Sequence, residues 1–199
     1  PSWTAALMAA ASDVICAITI RVPGFSGPYL RPATAGVKWR LALQPSGPHM
    51  LSAQPIFTIE AELEAIMSLG RTPVGERRII GIGGGTVRGQ KFNGRVLPGG
   101  ADWQVIRADG AADIQARYTI ESDGGARVLV DSVGLRHGPP EVIEKLARGD
   151  NVDPALYYFR TVMRFETGDP STDWLNRIIA VSRGQRLARA VRLDVYEVE

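Results

Sequence analysis

The sequence predicts an all-β domain that begins near Met50, and three observations support this fold class. Apolar and polar residues alternate over several stretches, as in strands with one buried face, because successive side chains of a strand point to opposite sides. Turns that contain glycine separate these stretches at short intervals. Only one helical pattern interrupts them. Many short strands with one short helix indicate a β-sandwich or a β-barrel.

Alternation is strictest in two of the predicted strands. In residues 57–64, apolar side chains alternate with threonine or glutamate, and residues 113–121 alternate in a similar way. Further strands are predicted at residues 77–82, 103–107, 127–131, 157–165, 177–181 and 190–198. Turns are predicted at Asn93-Gly94, Pro98-Gly99-Gly100, Asp109-Gly110, Asp123-Gly124-Gly125 and Arg183-Gly184. The helix is predicted at residues 140–148, with Gly149 as its C-terminal stop.

Residues 1–49 differ from residues 50–199 in charge and composition. They carry four basic residues and one acidic residue, whereas residues 50–199 carry 19 basic and 20 acidic residues, a net charge of −1. A domain this close to neutral has no electrostatic footprint for a phosphate backbone, so nucleic-acid binding is not expected. Residues 1–49 are interpreted as a native extension, an added leader or the product of a start site assigned too early. We expect them to be poorly ordered and base no functional prediction on them.

No stretch approaches the ~20 consecutive apolar residues that a membrane-spanning helix needs. Residues 5–20 come closest, but Asp13 interrupts them and no basic residue precedes them, so neither a membrane span nor a secretory signal is expected. Cys16 is the only cysteine, and no intramolecular disulfide can form. This cysteine usage fits a reducing compartment, and the predicted location is the cytoplasm.

Two patterns that suggest a cofactor fail on closer inspection. Residues 81–86 are rich in glycine, but the spacing of a dinucleotide fingerprint is absent, no helix follows, and no Gly-Lys-Ser/Thr marks a phosphate loop. We expect a bend or a close backbone approach in a curved strand instead. His137 is the only histidine after Met50 and no cysteine follows Met50, so zinc, copper and non-haem iron sites are not expected. No cofactor is predicted, although a carboxylate-bound Mg²⁺ or Ca²⁺ stays open.

Three clusters of polar and aromatic residues resemble a known family. They are Leu97-Pro98-Gly99-Gly100-Ala101-Asp102-Trp103, Arg117-Tyr118-Thr119, and a C-terminal set of Tyr158-Phe159-Arg160-Thr161, Phe165-Glu166-Thr167-Gly168 and Trp174-Leu175-Asn176-Arg177. In this order they resemble the motifs of the DUF3237 (UPF0311) family, and the resemblance covers residues 54–199. It makes residues 50–199 one domain, a single antiparallel β-barrel of roughly eight or more strands, similar to allene-oxide-cyclase and calycin-like barrels. Some members of the family are linked to the bacterial breakdown of nitroaromatic acids, as lyases on hydroxylamino-substituted rings, which indicates a substrate class only.

The polar residues of these clusters form the candidate site. Asp102, Glu166 and Tyr158 are predicted to be catalytic: a carboxyl group would act as general acid or base, and the tyrosine would donate a hydrogen bond to a developing oxyanion. Substrate binding is predicted for Arg117, Arg160, Trp103, Trp174 and Asn176. An arginine would hold a substrate carboxylate through two hydrogen bonds, the tryptophans would cover a flat ring, and the asparagine would orient the substrate.

Strand phase decides whether these side chains face a cavity or solvent, and the sequence leaves alternatives open. Arg117 alternates with Tyr118, so it lies either on the surface, if the apolar face is inside, or in a partly polar cavity. Arg160 is either a substrate ligand or a structural ion-pair partner of Glu166 or Asp173.

Three functions fit the predicted barrel. The first is a cofactor-independent lyase or isomerase that acts on a small oxygenated, aromatic carboxylate by general acid/base chemistry. The second is a barrel that binds such a ligand without changing it, and the third is an oligomeric structural domain with a filled barrel and an exposed apolar strand face. The expected partner is a small anionic or aromatic molecule, with a homo-oligomer as a further expectation and neither nucleic acid nor membrane among the partners.

Overall fold

The computed structural model describes residues 50–199, and the predictions made for residues 1–49 lie outside this range. The elements in chain order are β1 Phe57–Thr72, β2 Gly75–Gly89, β3 Gly94–Val96, β4 Gly100–Ile106, β5 Ala112–Ser122, β6 Arg127–His137, α1 Pro140–Arg148, β7 Tyr158–Glu166, β8 Ala180–Arg186 and β9 Ala190–Glu197. Two short 3-10 helices, Pro154–Leu156 and Asp173–Arg177, flank β7. Over the described range, no helix has the length and apolar character needed to cross a membrane.

The strands form one antiparallel sheet that closes on itself. Strand β1 pairs with β2 on one side and with β9 on the other, which joins the two ends of the strand order. Strands β3 and β4 both lie between β2 and β5 and pair with different parts of them, so they share one position in the ring. The sheet therefore has about eight positions, a size whose interior suits packed side chains or one small ligand. The predicted all-β barrel with one short helix is confirmed.

One end of the barrel is filled by a packed core. The ring of Phe57 lies 5.8 Å from that of Phe92 and 5.9 Å from that of Phe165. Leu175, from the 3-10 helix Asp173–Arg177, is completely buried and belongs to the same core. Bulky side chains occupy this end, and α1 follows β6 at the opposite end.

The glycine-rich segment of β2 is a close backbone approach, as the sequence predicts. Gly85 has a φ of +140°, and a Cβ atom on it would lie 2.0 Å from the carbonyl oxygen of Glu60 in β1. The β1–β2 register shifts between Glu62 and Leu63, next to this contact. The glycines therefore allow two backbones to approach closely where the register shifts.

The structure differs from the predicted elements in four ways. Strands β1, β2 and β6 run six or more residues further than predicted, and β3, only three residues long, was not predicted at all. The turn predicted at Arg183-Gly184 is wrong, because both residues lie inside β8 and pair with β9. Residues 177–179 are not part of a strand. The side chain of Asn176 bonds both the N–H and the carbonyl of Thr167, at 2.9 Å each, and this holds the chain in a 3-10 helix until β8 starts at Ala180.

The close contact between β6 and β7 predicts a strong effect for one glycine. A Cβ atom on Gly134 would lie 2.0 Å from the carbonyl oxygen of Arg160 and 2.6 Å from the Cα atom of Thr161. We expect Gly134→Ala to lower the free energy of unfolding by about 2–3 kcal/mol, measured by urea denaturation, because two backbones would have to separate. Gly168 is the control, because a Cβ atom added to it would meet no other atom within 4 Å, and Gly168→Ala should change stability by less than about 1 kcal/mol. Equal losses in both variants would contradict the close-contact explanation.

Candidate functional site

The end of the barrel opposite the packed core, called the open end, contains a cavity of about 50 Å³, room for roughly three water molecules. Its apolar wall comes mainly from branched aliphatic side chains together with one phenylalanine, namely Ala61, Leu63, Ile80, Ile82, Ile114, Ala116, Phe159, Val191 and Leu193. Its polar lining consists of Asp102, Gln104, Tyr118, Ser132, Arg136, Thr161 and Arg186. Two arginines and one carboxyl group give this lining an excess of positive charge.

The polar lining is built by a pattern that occurs twice, on the two strands that flank β7. Strands β6 and β8 both carry Ser-x-Gly-x-Arg, as Ser132, Gly134 and Arg136 and as Ser182, Gly184 and Arg186. The two serines meet on Thr161 of β7: Ser132 donates to the threonine oxygen at 3.0 Å, and the Ser182 oxygen lies 2.7 Å from it. All three hydroxyl groups are buried, and each has a partner.

One glycine and one arginine of this pattern lie against Phe159, an inward-facing residue of β7 two positions before Thr161. A Cβ atom on Gly184 would lie 2.5 Å from the Phe159 ring, so the glycine leaves the space that the ring fills. The Arg136 guanidinium lies over the same ring, 5.9 Å from its centroid. Arg136, Gly184 and Phe159 therefore meet inside the barrel, and Arg186 also lines the cavity.

Arg136 has an unusual electrostatic position. Burial lowers the pKa of its guanidinium, and the nearby charge of Arg186 lowers it further, while the Asp102 carboxylate acts in the opposite direction. Among residues 50–199, no group forms a hydrogen bond or an ion pair with this side chain. An arginine stays charged in a protein, so this guanidinium keeps its hydrogen-bond donors available at the cavity.

Arg186 is more constrained than Arg136. Its Nη1 donates to the carbonyl of Ala190 at 2.9 Å and also to that of Leu187, which fixes the side chain on the β8–β9 turn. Its own backbone N–H donates to the Tyr157 hydroxyl at 2.8 Å. The guanidinium keeps further N–H donors for the cavity because only one of its nitrogens is used by the turn.

Asp102 lies at an opening in the β4–β5 ladder. Its Oδ1 accepts the backbone N–H of Gln115 at 2.9 Å, and its Oδ2 accepts the side-chain amide of Gln104 at 3.1 Å. The Trp103 carbonyl, which would otherwise face β5, accepts a hydrogen bond from Arg77 at 2.8 Å. Burial raises the pKa of Asp102, while the two hydrogen bonds and the charge of Arg136 oppose this effect. The carboxyl group thus bridges two strands and also faces the cavity.

Of the residues predicted from the sequence to form the site, only Asp102 lines this cavity. Arg117 points outward and forms an ion pair with Asp131 at 2.6 Å, so the surface alternative for this residue is the one observed. Glu166 is exposed on the outer face of β7. The structure therefore separates the predicted general acids and bases onto opposite faces of the sheet, and the role of each stays a prediction.

Tyr158 and Arg160 lie together, but on the outside of the barrel. Both line an open groove of about 530 Å³, and the Arg160 guanidinium lies 5.3 Å from the centroid of the Tyr158 ring. That ring also stacks on His137, with a centroid distance of 5.0 Å. Arg160 makes no ion pair within residues 50–199; its side chain donates to the Phe159 carbonyl at 2.8 Å. Val133 and Val162 are exposed on this face. A homo-oligomer that would cover them stays a prediction.

The remaining predicted residues lie apart from both places. Trp103 is 41% exposed on the outer face of β4. The Lys91 ammonium group lies 5.3 Å from the centroid of the Trp174 ring. Asn176 stabilises the neighbouring loop through its hydrogen bonds with Thr167. Neither tryptophan therefore forms a wall of the cavity, where Phe159 and aliphatic side chains take that place.

The two arginines of the cavity were missed by sequence reasoning, although a signal for them exists. Arg136 is in phase with the buried residues Val128 and Val130 of β6, and strand alternation therefore turns it inward. The predicted strand ended at residue 131, because serine and glycine interrupt the apolar alternation beyond that point. The same Ser-x-Gly-x-Arg pattern interrupts the apolar alternation of β8, so Arg186 at its end was not predicted to face inward.

The raised pKa of Asp102 predicts a pH dependence of stability. Since the folded protein holds this proton more tightly than the unfolded chain, lowering the pH from 7 to 4 should stabilise the wild type relative to Asp102→Asn, which cannot titrate. Urea unfolding of both proteins at each pH measures the difference. Asp169, whose pKa is lowered by hydrogen bonds from Ser171, is the matched control, and Asp169→Asn should show the opposite trend. A stability advantage of the wild type over Asp102→Asn that shrinks as the pH falls would contradict a raised pKa for Asp102.

Similarity to other proteins identifies the family. The model of DUF3237, described as a protein of unknown function, matches residues 51–198. The UPF0311 protein RPA1785 of Rhodopseudomonas palustris is 45% identical over 148 residues, 74% of this chain and 97% of that protein. Its crystal structure gives a TM-score of 0.70 and covers 75% of this chain and 97% of that one.

Two further crystal structures share the fold. A beta-barrel like protein from Acinetobacter baumannii has 40% identity and a TM-score of 0.66, covering 77% of this chain and 99% of that one. An enzyme from Penicillium herquei has 19% identity and a TM-score of 0.57, over 77% of this chain and 98% of that one, a likeness that shows the fold alone. With the family model and relatives in agreement, the chain belongs to the DUF3237 (UPF0311) family.

Proposed function

We propose that the barrel takes up a small carboxylate at its open end and acts on it as a cofactor-independent lyase or isomerase. The observation that carries this proposal is Arg136, a charged and partly buried side chain that faces the cavity without a partner among residues 50–199. A ligand carboxylate would accept two parallel hydrogen bonds from its guanidinium, a geometry that arginine offers and lysine does not. Arg186 would add a second positive charge on the other side of Phe159.

Asp102 supplies the acid/base group of this proposal. Its pKa is raised by burial, toward the range in which a carboxyl group exchanges protons effectively near neutral pH. As a carboxylate it would remove a proton from a carbon of the ligand, and as the resulting acid it would return that proton to another atom or to a leaving group. Arg136 would stabilise negative charge that develops on the ligand during this transfer.

The size of the cavity sets a condition on the ligand. Cavities that hold benzene measure about 150 Å³, whereas the free space here is about 50 Å³. An aromatic acid therefore fits only if the side chain of Arg136 moves toward the opening as it takes hold of the carboxylate. Arg136 makes no hydrogen bond to residues 50–199 that such a movement would break.

A barrel that only binds its ligand is the second candidate. Both oxygens of Asp102 already accept hydrogen bonds, from Gln115 and from Gln104, which is the arrangement of a group that holds two strands together. In that case the arginines would retain an anion, and no bond of the ligand would change.

Binding of benzoate tests the position of the anion. We expect Arg136→Gln to weaken the affinity of the full chain for benzoate by about 10- to 100-fold in isothermal titration calorimetry, because a charged hydrogen bond is lost. Arg117→Gln is the matched control on the outer face and should leave the affinity unchanged. Weakened binding in Arg117→Gln with normal binding in Arg136→Gln would contradict the proposal and would favour a site on the outer face.

Exchange of ligand protons with solvent separates catalysis from binding. In D₂O, a panel of small oxo and hydroxy acids should lose C–H signals in ¹H NMR in the presence of the protein, since Asp102 would remove and return protons. Asp102→Asn should slow this exchange by about 10²-fold or more. Acids that bind to the wild type without any exchange would contradict the catalytic proposal and leave the binding barrel.

A further inference from the structure

Tyr118 carries a hydroxyl group for which the barrel provides no partner. Its side chain is 3% exposed and lines the cavity, and its oxygen is the buried side-chain atom in residues 50–199 that lacks any hydrogen bond. The ring is fixed in place by the start of β4. A Cβ atom on Gly100 would lie 2.4 Å from the Tyr118 Cβ, so only glycine leaves room for the tyrosine there.

An unpaired hydroxyl in a protein interior lowers stability. Its desolvation costs about 1–3 kcal/mol when no hydrogen bond replaces those to water, and phenylalanine would fill the same space without that cost. Burial also raises the pKa of Tyr118, so the group stays protonated and can both donate and accept at neutral pH. A buried, unpaired donor beside a cavity is the kind of group that a ligand completes.

Tyr118 and Arg136 line the same cavity from different levels of the sheet. Arg136 pairs with Ala112 across β5 and β6, and Tyr118 lies six residues further along β5, on the side of the packed core. A ligand whose carboxylate is held by Arg136 would therefore present its other end to Tyr118.

We propose that Tyr118 is a specificity-determining residue, whose hydroxyl bonds a second polar group of the ligand at the end remote from the carboxylate. This inference rests on the proposed function, because Arg136 must hold the carboxylate for the remote end to reach Tyr118. The ligand class is thus an acid with a hydroxyl, amino or carbonyl group at its far end. A monofunctional acid of the same shape would leave the tyrosine unpaired, and such a site discriminates strongly against it.

The test compares benzoate with 3- and 4-hydroxybenzoate by calorimetric titration of the full chain. The wild type should bind one of the hydroxylated acids at least about 10-fold more tightly than benzoate. Tyr118→Phe should reduce this preference to about twofold or less while it still binds benzoate. Tyr196→Phe, a change of the same type on a tyrosine that lines the outer groove, should keep the preference of the wild type.

Outcomes of this test separate the two proposals. Equal affinities for all three acids in the wild type, or an unchanged preference in Tyr118→Phe, overturn the role of Tyr118 and leave the anion site intact. No binding of any of the three acids contradicts the anion site and the inference with it.

Thermal unfolding gives a second readout: Tyr118→Phe should raise the Tm of the free protein by about 2–4 °C, because an unpaired hydroxyl is removed. A lower Tm would mean that the hydroxyl has a partner in the free protein and would overturn the inference.

Discussion

Alternation of side chains in a closed sheet is the constraint on which this structure depends. Strand β1 pairs with β2 and with β9, so the ring has an inside and an outside, and every residue of a strand is assigned to one of them. A shift of one residue would exchange Arg136 for His137 at the cavity and would remove Asp102 from it. Both the packed end and the open end of the barrel follow from this assignment.

The two ends of the barrel differ in how far their polar groups are satisfied. At the packed end, Phe57 and its neighbours bury apolar surface without polar groups to satisfy. Toward the open end, Ser132, Thr161 and Ser182 satisfy one another, whereas Arg136 and Tyr118 do not find partners in residues 50–199. Polar groups without partners, such as these two, lower the stability of the folded protein. The apolar surface buried at the packed end offsets that loss. The proposed ligand site rests on these two unsatisfied groups.

Much of the fold was predictable because it follows from local patterns. Strands β1 and β5 were located by the alternation in residues 57–64 and 113–121, and the end of α1 was located by the glycine that follows it. Strand β3 was missed because three residues carry no periodic signal, and the start of β8 was misplaced because Asn176 shapes that segment through contacts nine residues away. Among the predicted site residues, Asp102 faces the cavity, but motif membership could not show that Arg117 and Arg160 face outward. The phase of each strand, meaning which of its residues face inward, decides where a side chain points. This phase becomes uncertain where Ser-x-Gly-x-Arg interrupts the apolar alternation.

The central claim is that the inner arginines, and not those of the outer groove, hold the ligand carboxylate. A crystal of the full chain soaked with 4-bromobenzoate tests it directly, since the bromine can be located by its anomalous scattering. We expect one bromine peak inside the barrel, with the carboxylate on Arg136 and the bromine directed toward Tyr118. A peak in the outer groove beside Arg160 and Tyr158, with none inside the barrel, would contradict the claim.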